Sequence, residues 1–227
     1  MIRMLPFLFL LPLLAPAQDA PSLVKRLRVK MDVVNDYRAQ GMLKTDVSFL
    51  RIPVSRVNVL YRKPDRFRIR KDNGISLLPK GGISINLNAM MALGEVTAVD
   101  AGQSLQQGRA LRVVKMLPAS EASDVILSTL YIDEKELLIR KAVTTTRENG
   151  TYEMEMEYGR HASYGLPDKV VVSFDTRDYK MPKAITFEYE PGEKPSKRAA
   201  GKDRKGRVEI RYEQYVINQG IPESAFR

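Results

Sequence analysis

Between Val57 and Lys71 the chain reads VNVLYRKPDRFRIRK. Val57, Val59 and Tyr61 alternate with Asn58, Leu60 and Arg62, and Phe67 and Ile69 then alternate with Arg66, Arg68 and Arg70. Successive side chains of an extended strand point to opposite faces, so each segment sends its apolar set one way. Lys63-Pro64-Asp65 interrupts the alternation. Proline fixes its own φ and disfavours helix in the residue before it, which makes this tripeptide a turn. The segment predicts a hairpin with one apolar face and one face carrying three arginines. Apolar side chains committed to period two cannot be buried along one side of a helix. They require a sheet with one covered side.

The same pattern recurs along most of the chain. In YEMEMEY, Tyr152, Met154, Met156 and Tyr158 oppose Glu153, Glu155 and Glu157. Ile185, Phe187 and Tyr189 alternate with Thr186, Glu188 and Glu190, and Val208, Ile210 and Tyr212 with Glu209, Arg211 and Glu213. Tyr215 and Ile217 fall out of phase with Val208–Tyr212, which predicts a bulge near Glu213–Gln214. The expected strands are 45–52, 54–62, 66–72, 74–78, 110–116, 126–132, 137–145, 152–158, 169–175, 184–190 and 207–217. Gly81-Gly82 reads as a turn. The one long helical stripe comes first. Leu23, Leu27, Met31, Val34 and Tyr37 recur at spacings of three and four, predicting a helix over Pro21–Met42 that stops near Gly41. A short helical piece is expected near Ala89–Gly94. The fold class is mainly β (α+β): about ten or eleven strands in one antiparallel sheet. A sheet that long must curl or close, and curling around the helix buries both apolar surfaces.

Residues 1–17 carry Arg3, an apolar core from Leu5 to Leu14 broken by two prolines, and Ala15-Pro16-Ala17. This is the layout of a secretory signal cleaved after Ala17, too short to span a bilayer. The mature chain is expected to start at Gln18, to form one domain over 18–227, and to be periplasmic. No cysteine stands at the cleavage point to carry a lipid anchor. The chain has no cysteine at all, which excludes disulfides, thiol catalysis and cysteine metal sites. Its net charge is +10. In an exported protein this balance points to anionic lipids, lipopolysaccharide phosphates or an acidic partner rather than nucleic acid.

Catalytic constellations are missing. The single histidine, His161, lies in YGRHASYG near Ser163, with no G-x-S-x-G and no third member of a triad. One histidine and no cysteine make a poor transition-metal site. No phosphate-binding glycine motif occurs. The expectation is no catalysis, no metal and no cofactor. The glutamates of YEMEMEY read as a solvated face, or as cross-strand partners of an arginine-rich strand. Met90, Met91, Met116, Met154, Met156 and Met181 lie in the sheet region, and tryptophan is absent. Soft, unbranched side chains suit a cavity for flexible acyl chains, and equally a loose core. Pro191–Gly206 holds six basic and two acidic residues and no large apolar one, so it reads as a long loop. Lys194, Lys197, Arg198, Lys202, Arg204 and Lys205 either dock on an anionic surface or are solvated.

LYRKPDRFR resembles the strand–turn–strand signature of the periplasmic outer-membrane lipoprotein carriers, the LolA/LolB-like family. The matching positions are Tyr61, Lys63, Pro64 and Phe67, with Lys63 where the carriers usually have arginine. Leu111–Tyr158 is similar to the family's middle. YVINQGIPESAFR, Tyr215–Arg227, resembles its closing segment of Asn, Pro and Phe. The resemblance implies an unclosed β-barrel, lidded by helices, whose concave apolar face holds the acyl chains of a lipoprotein. The expected acyl-chain contacts are Tyr61, Lys63, Phe67, Ile69, Tyr152, Met154, Met156, Ile185 and Phe187. Lys63 is expected at the mouth, touching a headgroup or a carbonyl of the lid. The implied partners are lipoprotein or lipid acyl chains, an inner-membrane donor complex and an outer-membrane acceptor, engaged by a monomer. An envelope sensor or adaptor built on the same half-barrel is the alternative.

Overall fold

A computed structural model of the chain describes residues 19–46, 53–71, 91, 95–175 and 205–226. Helix α1, Ala20–Asp32, opens this part of the chain, with the Asp19 carboxylate accepting from the Ser22 amide at 3.1 Å. Ten strands follow. They are β1 (Asp36–Asp46), β2 (Ser55–Arg62), β3 (Arg66–Lys71), β4 (Val96–Gln106) and β5 (Arg109–Pro118), then β6 (Val125–Asp133), β7 (Leu138–Thr146), β8 (Gly150–Glu157), β9 (Lys169–Asp175) and β10 (Lys205–Ile217). Short 3-10 turns occupy Ala162–Tyr164 and Glu223–Phe226.

All ten strands form one antiparallel sheet in the order β3-β2-β1-β10-β9-β8-β7-β6-β5-β4. Among the described residues its two edges, β3 and β4, are not paired, so the barrel stays open. Laid flat, ten strands at about 4.8 Å spacing would span about 43 Å. The helix, at 1.5 Å per residue, is only about 20 Å long. Yet α1 lies beside β4, and the turn between β2 and β3 reaches its end. One short helix meets both edges only because the sheet is curled around it. Its buried side chains, Ala20, Leu23, Val24, Leu27 and Met31, join a single apolar cluster to which all ten strands contribute.

Several expectations are corrected. The helix ends at Asp32, not Met42, and Asp36–Asp46 is a strand. Val34 and Tyr37 are buried as the stripe required, but from beyond the helix. Asn218 decides this. Its side-chain oxygen accepts from the Asn35 amide at 2.7 Å and the Asp36 amide at 3.3 Å, while its Nδ2 donates to the Val33 carbonyl at 2.8 Å. These backbone groups are satisfied by a residue more than 180 positions away instead of by another helical turn. Gly41 is therefore not a helix stop. It sits inside β1, where a Cβ would lie 2.3 Å from the Arg211 carbonyl oxygen. The predicted bulge is present: Gln40 pairs with Gln214 and Gly41 with Tyr212, which leaves Glu213 as the extra residue.

β4 was not expected from the sequence. Most of it is exposed on both faces, and its pairing shifts register between Asp100 and Gln103, so no alternation marks it. β10 begins at Lys205, so the basic segment ends two residues earlier than expected. Two of the YEMEMEY glutamates pair with lysines of neighbouring strands: Lys141–Glu153 at 2.7 Å and Lys169–Glu157 at 2.8 Å. The expected strands 74–78 and 184–190, the turn at Gly81-Gly82 and residues 1–17 lie outside the described residues. So does the helical piece 89–94, except for Met91, which is helical and buried in the core cluster.

Candidate functional site

The face of the sheet beneath α1 collects the expected contact residues. Tyr61 and Ile69 come from β2 and β3, and Tyr152, Met154 and Met156 from β8. All five are buried in the cluster that includes the helix, and Phe67, half-buried, packs against it. Tyr61 and Phe67 face each other across the hairpin, and Met154 lies between Ala142 and Val172 of the adjacent strands. Met31, Met91 and Met116 complete a five-methionine lining with Met154 and Met156. Ile185, Phe187, Lys194, Lys197, Arg198, Lys202 and Arg204 lie outside the described residues. Lys205 is exposed at the start of β10, opposite Asp175.

Lys63 occupies the β2–β3 turn. Its ammonium donates to the Asp32 backbone carbonyl and pairs with the Asp32 carboxylate, at the C-terminal end of α1. Nearby, Lys30 Nζ donates to the Glu136 carbonyl at 2.6 Å. Asp32 is exposed and Lys63 partly buried, and ion pairs at the surface contribute about 0–1 kcal/mol. Burying each of Leu23, Leu27 and Met31 contributes about 1.5–3 kcal/mol. Apolar contact thus holds the helix down, and the ion pair fixes where its end rests.

The same end of the sheet carries a tyrosine cluster that sequence reading did not single out. Tyr37 packs on Tyr61 with centroids 5.3 Å apart and on Tyr215 at 5.4 Å, and Tyr215 packs on Tyr212 at 5.1 Å. Burial pushes Tyr61 up to about 12 and raises Tyr37 and Tyr215 well above the ordinary tyrosine value. The Tyr215 hydroxyl donates to the Pro167 carbonyl at 2.7 Å. His161 stacks on Tyr215 at 5.0 Å, beside the 3-10 turn that holds Ser163. A further polar point lies among the apolar residues. Ser128 and Thr144, both buried, share a hydrogen bond of 3.0 Å between facing strands. Burial raises the Tyr152 hydroxyl, and a hydrogen bond with Thr144 pulls it part of the way back.

The closing segment locks this end. Both Asp36 carboxylate oxygens accept from the Gly220 amide, at 3.1 and 3.2 Å. Arg62 donates to the Ile221 carbonyl at 2.8 Å and pairs with Glu223, which also takes Arg66 at 3.1 Å. Phe226 lies under the Arg62 guanidinium, 5.7 Å away. Asp36 was missed by sequence reading, and Asn218, the asparagine of the closing segment, was noted there without its hold on residues 33–36. The alternation of Tyr37, Ala39 and Leu43 with Arg38, Gln40 and Lys44 could have revealed β1, but the helical stripe running into Tyr37 obscured it.

Solved structures with this arrangement are known. A LolA superfamily protein from Nitrosomonas europaea superposes with a TM-score of 0.59 over 93% of this chain and 98% of its own, at 10% identity. This is the LolA fold. A domain named as an outer membrane lipoprotein-sorting protein from Vibrio parahaemolyticus gives a TM-score of 0.55 over 90% of this chain and 94% of its own, at 8% identity. A DUF1329 family protein from Desulfovibrio piger gives 0.55 over 92% and 98%, at 11% identity. No protein-family model matches the sequence. No curated protein matches it either. The likeness to the LolA fold therefore resides in the backbone path and in which face is apolar, with little shared residue by residue.

Proposed function

We propose that this protein is a non-catalytic periplasmic carrier that shields the acyl chains of a lipoprotein or lipid beneath α1. One observation carries the reading. A ten-stranded open sheet turns its apolar face toward a thirteen-residue helix that is latched by a weak, partly exposed ion pair. Moving the helix aside would bare a methionine-rich surface that adapts to flexible chains. Each methylene left in water costs about 0.8 kcal/mol, so acyl chains would take the helix's place readily. The LolA superfamily and lipoprotein-sorting structures supply the fold in which this reading is natural. In it, Tyr61, Phe67, Ile69, Tyr152, Met154 and Met156 contact the chains, and Lys63 governs the latch. An inner-membrane donor and an outer-membrane acceptor would be the partners.

Displacement of an environment-sensitive apolar dye by a diacyl or triacyl lipopeptide tests the proposal. Phe67→Glu places a charge where burial is costly and is expected to abolish lipopeptide binding. Thr97→Glu, on the exposed edge strand, is expected to leave it intact. Lys63→Leu should shift unfolding by less than about 1 kcal/mol, because the lost pair is at the surface with Asp32 exposed, while speeding lipopeptide release. Equal dye displacement by both folded glutamate variants would reduce the face to a core and leave the sensor or adaptor reading.

A further inference from the structure

The outer face of the sheet, turned away from α1, is electrically divided, and the division follows from strand register. β3 sends out Arg66, Arg68 and Arg70, paired with Arg62, Leu60 and Asn58 of β2. Arg56 lies further along β2. β1 adds Arg38 and Lys44, and β10 adds Lys205, Arg207 and Arg211. The carboxylates there are Asp36, Asp46, Glu209 and Glu213, joined by Glu223 from the closing turn. Among the described residues ten basic side chains thus meet five acidic ones, an excess of five. Ion pairing leaves that net charge in place, and two of the carboxylates are shared. Glu223 serves Arg62 and Arg66, and Glu209 serves Arg211 at 2.6 Å and Arg207 at 3.8 Å. Across the sheet the balance differs: Glu153 and Glu157 of β8 are each matched by a lysine.

We infer that the outer face of β3, β2, β1 and β10 docks on a lipid surface bearing anionic phosphate headgroups. Eight of the ten cations are arginines, whose planar forks match phosphate oxygens two at a time. Four strands present a patch about 15 Å wide, broad enough to meet several headgroups together. Half-buried Leu60 and Met42 and exposed Val216 sit among the arginines. That mixture suits the boundary between headgroups and acyl chains, whereas an acidic polypeptide would use the charges alone. Docked this way, the edge bearing Lys63 and the end of α1 lie beside the lipid. The inference needs only this surface and does not depend on the carrier reading.

The test is co-sedimentation of the purified protein with phosphatidylcholine vesicles, with and without phosphatidylglycerol. Binding is expected only with phosphatidylglycerol and should weaken as salt is raised. The combined variant Arg56→Gln, Arg68→Gln, Arg70→Gln and Arg207→Gln should bind at least about tenfold less tightly. A matched variant, Lys25→Gln, Arg109→Gln, Lys115→Gln and Lys135→Gln, loses the same charge elsewhere and should stay within about twofold of the parent. Equal losses in the two, or no loss in the first, overturn the assignment. So does a parent that ignores the vesicles but binds polyglutamate, which would hand the face to an acidic polypeptide. Phenylglyoxal modification of the unaltered protein, read by mass spectrometry, needs no variant to fold. Vesicles should protect Arg56, Arg68 and Arg70, and protection confined to other arginines refutes the docking face.

Discussion

At Gly41 the backbone of β10 leaves no room for a side chain on β1, and this shows how one position can carry a structural requirement without a contact of its own. With Glu213 bulged out of β10, the Arg211 carbonyl approaches the place a Cβ would occupy to 2.3 Å. A glycine within a strand commonly marks such an approach. Gly41→Val is therefore expected to destabilise the protein by about 2–3 kcal/mol, read as a lower urea midpoint at unchanged slope. A valine at Gln40, one residue away and exposed, should be nearly neutral. The bulge itself was legible, because Tyr215 and Ile217 break phase with Val208–Tyr212. The need for glycine opposite it was not, since nothing in the sequence says which strand pairs with β10.

At the scale of elements, the helix boundary is the instructive failure. Leu23, Leu27, Met31, Val34 and Tyr37 satisfy a helical stripe, and all five are buried. The chain nevertheless leaves the helix at Asp32, because Asn218 offers three hydrogen bonds to the backbone of residues 33–36. Removing that side chain leaves these groups to water or unpaired. Asn218→Ala should cost about 1–3 kcal/mol and raise amide exchange at Asn35 and Asp36 before the rest of β1. Exchange unchanged at those two amides would mean that the turn holds itself. β4 failed to declare itself for the opposite reason: an edge strand that is mostly wet, with only Val96 and Ala98 against the core, carries too little alternation to stand out. The hairpin β2–β3 and strand β9 were read nearly residue for residue, since each is short and has one covered side.

For the whole molecule, the consequence of one shared apolar cluster is that its buried groups titrate together. Tyr37, Tyr61, Tyr152, Tyr158, Tyr212 and Tyr215 all have hydroxyls raised above 10, with burial the first cause in each. The folded state prefers them neutral. The stability they contribute is complete below pH 10 and is lost as pH rises from there through Tyr61's value of about 12. The tyrosinate absorbance at 295 nm contributed by these six of the chain's ten tyrosines should then appear in one step with loss of ellipticity, and a full ten-tyrosine signal reached before unfolding would contradict the buried cluster. Period-two alternation by itself determined that this chain makes an antiparallel sheet with one covered face, because a side chain's direction along a strand is a local property. It also determined which of Phe67, Ile69, Met154 and Met156 share a face. Only the tertiary structure decided where α1 stops, that β1 pairs with β10, and that the arginines of four strands gather on one outer surface. Those outcomes depend on residues far apart in sequence meeting across strands, and register between distant strands is set by the packing of the whole sheet.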